Sequence, residues 1–119
     1  IATGKPESGS PLEVKKGSIE KAPGGRTIEE CHRLKKELAG KTVKVRGVVV
    51  KFNSAILDKN WIHIQDGTGA EGTRDLAITT AETVKLGDTI VAEGKISCDR
   101  NFGAGYDYAV LLEEAAITK

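Results

Sequence analysis

The 119 residues fall within the size of one domain, with 39 % hydrophobic and 29 % charged side chains, enough for one buried core and too few for two. No stretch approaches the roughly 18 to 20 consecutive apolar residues that span a bilayer, which excludes a transmembrane helix. Eighteen basic against seventeen acidic side chains give a net charge of +1 and a pI near 7.9, short of the pI above about 9 that marks an electrostatic nucleic-acid footprint.

The first 26 residues are rich in Gly, Pro, Ser and Lys and lack helical periodicity, so residues 1–26 are expected to be a flexible arm or linker. Within it, Leu12 to Ala22 alternates weakly around Lys16-Gly17 and is a candidate hairpin or edge strand. Thr27 and Glu30 then make a capping box, Ile28, Cys31, Leu34 and Leu38 share one stripe, and Gly40 supplies a stop, which predicts a single helix from about Ile28 to Ala39. That stripe turns Cys31 inward and His32 away from the core.

From Lys41 the period changes to two. Val43 and Val45 alternate with Lys44 and Arg46, and Gly47 interrupts before Val48-Val49-Val50, a pattern for a long first strand bent at a glycine and shared between two sheets. Trp61 to Gln65 reads as a second strand, ending in the tight turn Asp66-Gly67-Thr68-Gly69. A third is expected from about Asp75 to Thr79, a fourth from Asp88 to Ser97, and a fifth from Tyr106 to Ile117 after the glycine-rich Asn101-Phe102-Gly103-Ala104-Gly105. The expectation is an all-β domain over 27–119, a five-stranded barrel behind one N-terminal helix over 27–39.

Five strands, a bent first strand and the phrase Trp61-Ile62-His63-Ile64-Gln65-Asp66-Gly67-Thr68-Gly69 resemble the OB fold, in the branch that includes the anticodon-binding domains of tRNA synthetases. More narrowly, Leu38-Ala39-Gly40-Lys41, Val45-Arg46-Gly47, Asn60-Trp61, Gln65-Asp66-Gly67, Asp75-Leu76, Thr79-Thr80, Gly87-Asp88 and Phe102-Gly103-Ala104-Gly105-Tyr106 are together similar to a group of small exported bacterial OB proteins. These are loosely labelled DNA-binding or nucleotide-binding, and some are associated with periplasmic cytochrome systems. The resemblance implies an OB fold over roughly 40–117, an exported or periplasmic location, and a ligand face on the second strand at Trp61, His63 and Gln65. Where the anticodon-binding branch commonly carries arginine, this sequence has Gln65, which removes a phosphate or base contact.

Alternation independently makes Ile62 and Ile64 the inward pair and leaves Trp61, His63 and Gln65 outside. OB barrels bind on that face and in the loops joining strands 1 to 2 and 4 to 5, which adds Lys51, Lys59, Arg100, Phe102, and Tyr106 or Tyr108 as candidates, with Arg46 on the first strand. The alternative for Trp61 is packing under the helix or closing one barrel end; for Phe102, plugging the barrel; for Lys44 and Arg46, an ordinary solvated face. Cys31 and Cys98 are the only cysteines, a candidate disulfide in an oxidising compartment or two small buried hydrophobes in a reducing one. With His32 and His63 they lack metal-ligand spacing. Serines and histidines form no catalytic phrase, and Glu113-Glu114, adjacent on a strand, point to opposite faces. No cofactor and no catalysis are expected.

The absence of methionine leads to the expectation of a processed chain, or a piece of a longer one, from which any signal peptide has been removed. The expected function is a binding module for single-stranded nucleic acid or another extended polymer, with a protein-interaction domain of an exported, periplasmic redox-associated system as the alternative.

Overall fold

The computed structural model describes residues 14, 19–56, 58–70, 73–101 and 107–118. Five strands account for most of them: β1 Thr42–Ile56, β2 Lys59–Gln65, β3 Asp75–Thr80, β4 Thr89–Asn101 and β5 Asp107–Thr118. Their hydrogen bonds close a ring in the order β1-β2-β3-β5-β4, so the fold is mostly β with short N-terminal helices, and the five predicted strands are each found. All neighbours are antiparallel except β3 and β5, which run parallel and pair at Ala77–Leu111 and Ile78–Leu112.

β1 serves two neighbours. Thr42 to Val48 pairs with β4, and Val48 to Ile56 pairs with β2. Gly47 sits beside this handover for a steric reason: a Cβ there would lie 3.0 Å from the Gln65 carbonyl oxygen and 3.1 Å from the Ile64 side chain. The inward positions Val45, Val49, Ile62, Ile64, Ile78 and Leu112 are at most 0 % exposed and form one core. Each such side chain contributes roughly 1.5 to 3 kcal/mol on burial.

The parallel junction is short and is extended by side chains. Thr79 Oγ1 accepts from the Glu114 amide at 3.0 Å, Thr80 Oγ1 donates to the Ala115 carbonyl at 2.7 Å, and Glu82 Oε2 accepts from the Ile117 amide at 2.8 Å. Glu114 has φ +51°, and the β4–β5 register shifts opposite it between Glu93 and Lys95. Gly94 fills that shift because a Cβ there would come 2.6 Å from the Glu113 carbonyl oxygen.

The predicted single helix is two short ones, α1 Ile28–Arg33 and α2 Lys35–Leu38, separated at Leu34 with φ −101° and ψ 19°. Each turn is tied to a different strand. His32 Nε2 donates to the Asp75 carbonyl of β3 at 2.8 Å, and Cys98 Sγ of β4 donates to the Lys35 carbonyl at 3.2 Å. His32 therefore lies outside the core, as expected, but half-buried against β3. The predicted stripe of Ile28, Cys31, Leu34 and Leu38 does pack on the core.

α1 starts on the predicted capping box: Thr27 Oγ1 accepts from the Glu30 amide and Glu30 Oε1 from the Thr27 amide. The hydrogen bond from Thr27 holds the Glu30 carboxyl below its usual range, with Lys21 and Arg26 adding to it against the cost of burial. The turn after β2 completes the cap. Asp66 Oδ2 accepts from the Ile28 amide at 2.9 Å, and Thr68 Oγ1 from the Glu29 amide at 3.0 Å. Thus the first three helical amides all meet side-chain oxygens.

Residues 20–26 run beside β1, with the Arg26 amide donating to the Lys44 carbonyl and Arg46 Nη1 to the Glu20 carbonyl. This part of the expected arm is docked, with Ala22 2 % exposed. The rest of that arm, and most of the candidate hairpin from Leu12, lie outside the described residues. The candidate disulfide is not formed: Cys31 and Cys98 are free, Cys31 packing into the core from α1 while Cys98 Sγ donates to the Lys35 carbonyl. Burial pushes the Cys31 thiol up to about 12, with Asp66 and Glu30 acting in the same direction. No described helix is long and apolar enough to cross a membrane.

Candidate binding face

The alternation of β2 sends Ile62 and Ile64 into the core and turns Trp61, His63 and Gln65 to the outside of the ring. Trp61 is nevertheless only 1 % exposed. It packs with Ala77 of β3 and Leu111 of β5 in a second, smaller apolar cluster that Ile56 and Tyr108 border. The Tyr108 ring stacks on it with centroids 5.4 Å apart and planes 20° off parallel, and the indole Nε1 donates to the Ile56 carbonyl at 2.8 Å. Trp61 is therefore a strut beneath the β1–β2 turn, covered by β5 and not by the helix.

His63 is half-buried one rung away. Its Nδ1 lies 3.1 Å from Asp75 Oδ2, and its ring centroid lies 6.4 Å from that of Tyr108. The hydrogen bond from His63 holds the Asp75 carboxyl below its usual range; burial opposes this, and the charges of His63 and His32 assist it. Lys51 stands opposite His63 on β1 and is exposed. Gln65 closes the strand between Val48 and Asp75 in the ladder.

The β1–β2 turn is fixed by Trp61 and by its neighbour Asn60. Ala55 and Asp58 have φ of 57° and 65°, a region that costs non-glycine residues about 1 kcal/mol or more. Asn60 Oδ1 accepts from the Ala55 amide, and Asn60 Nδ2 donates to the Glu82 carbonyl. Beside it, a groove of about 460 Å³ lies between Asp58, Lys59, the Thr79-Thr80 end of β3 and Glu114.

The structure brings Trp61, His63 and Gln65 onto one face with Lys51 and Tyr108, and sets Lys59 at its margin. Arg46 is not there: it lies on the part of β1 that pairs with β4, opposite Val91, and is bonded to Glu20. Arg100 is opposite Tyr108 in the β4–β5 ladder, and its Nη1 donates to Glu113 Oε2 at 2.8 Å. Phe102 and Tyr106 lie outside the described residues. Asp75 is the site residue that sequence reading passed over; its signal was its place on the same strand face as Ala77. Among the described residues no three metal-ligand side chains come together. No family model matches the sequence, and no curated protein matches it either.

Proposed function

We propose that this chain is a non-catalytic OB-type binding module that lays a single-stranded nucleic acid, or another extended polymer, across β2 and β3. The observation that carries the reading is the continuous outer face on which Tyr108 stacks over Trp61 beside His63 and Lys51. Aromatic rings and cations side by side are what strand-tracking proteins use, each stacked base contributing about 1 to 3 kcal/mol. The ring order and the parallel β3–β5 closure support the OB reading, whose ligands lie on this face and in its two flanking loops. The resemblance to small exported OB proteins supports an exported, periplasmic location.

Anisotropy of a labelled single-stranded oligodeoxynucleotide, titrated with the full chain across a salt series, tests this. Binding whose logarithm falls with the logarithm of salt at about 0.7 per phosphate contact is the expected result. A second reading, an exported protein partner on the same face, is favoured by the near balance of ten basic and eleven acidic side chains over 40–119 and by the covered state of Trp61. Absence of oligonucleotide binding at low salt would sink the first reading and leave the second, since a mainly apolar interface responds little to salt.

A further inference from the structure

The chain has two histidines, and both are bonded to Asp75, in different ways. His32 Nε2 meets the Asp75 carbonyl oxygen; an oxygen that only accepts makes this nitrogen a donor. His63 Nδ1 meets the carboxylate oxygen Oδ2, and by the same argument carries the proton. Neutral His63 therefore has Nε2 as a hydrogen-bond acceptor, and becomes a donor there only when the ring is protonated and charged.

The groups facing His63 set what that proton does. Asp75 comes from β3, Lys51 from β1 directly across the ladder, Tyr108 from β5, and His32 from α1 behind Asp75. With His63 neutral, the charges of Lys51 and Asp75 cancel. With His63 protonated, the three groups sum to a single positive charge, and two donors stand side by side on one sheet face. Phosphate is repelled by neither state as a whole, but only the second offers paired cationic donors.

We propose that His63 is a proton-controlled phosphate contact of this face, held in place by Asp75 as its positioning residue, so that a single-stranded nucleic acid binds more tightly in acid. This rests on the reading of a polymer across β2 and β3.

The test uses the full chain and a fluorescein-labelled oligothymidylate, whose bases do not titrate in the range used, at about pH 5.5 and about pH 7.5, on either side of the ordinary histidine range. Affinity is expected to be about fivefold tighter in acid, the order of one added charge-assisted contact, with a salt slope steeper by about 0.7. His63→Gln should abolish the difference between the two pH values, and His32→Gln, at a position behind Asp75, should keep it. Nitrogen NMR of the ligand-free protein should find neutral His63 protonated on Nδ1, and Asp75→Asn should shift the proton toward Nε2. Equal affinity at both pH values overturns the proposal and leaves the binding face standing; no binding at either pH overturns both. A pH effect that survives His63→Gln, or a neutral ring protonated on Nε2, also overturns it.

Discussion

Trp61 stands where an outward stacking ring was expected, and it faces outward, yet almost none of it reaches solvent. Replacing it with alanine should therefore act first on stability. A loss of about 3 to 5 kcal/mol is expected for an emptied aromatic site, read as a lowered urea midpoint. Trp61→Phe should keep most of the packing and lose the indole bond to Ile56, about 1 to 2 kcal/mol. Asp75 acts through charge. Because its folded pKa is depressed below the ordinary 3.8, its contribution is present above that value and is lost as pH falls through the folded pKa. Acid unfolding curves of Asp75→Asn and wild type should thus differ at neutral pH and converge in strong acid. The face of Trp61 was legible because strand side chains alternate with period two. Its burial was not, because the covering residues Leu111 and Tyr108 arrive from β5.

At the scale of elements, α1 has only six residues, too few to hold itself in water, and it persists because its amides are capped. Asp66→Ala should cost more than Thr27→Ala, since it strands a buried amide of Ile28 as well as freeing Thr68. We expect about 2 to 3 kcal/mol against about 1 kcal/mol, with faster hydrogen exchange at Ile28 and Glu29 as the local readout. The capping box was legible because Thr27 and Glu30 are neighbours in sequence. The second half of the cap was read only as a turn after β2, since nothing local links Asp66 to Ile28. Likewise the stripe from Ile28 to Leu38 gave no sign of the break at Leu34, which arises from ties to two different strands.

For the whole molecule, the shortest ladder of the ring is its parallel junction, where two ladder pairs are supplemented by Thr79, Thr80 and Glu82. Thr80→Val, which keeps the shape and removes the hydroxyl, should leave the buried Ala115 carbonyl without that donor and cost about 1 to 3 kcal/mol. Thr79→Val should speed hydrogen exchange of the Glu114 amide while the amides of the β1–β2 ladder stay protected. The strand count was legible from glycine punctuation and alternation; the closing order was not, because pairing between β3 and β5 joins segments with no shared local pattern. The borrowed cap of α1 also has a consequence in time. During synthesis Ile28 to Arg33 leaves the ribosome before Asp66 and Thr68 have been added, and domains assemble only as their parts emerge. Among the described residues, α1 must therefore wait, unwound, until the turn after β2 has been made.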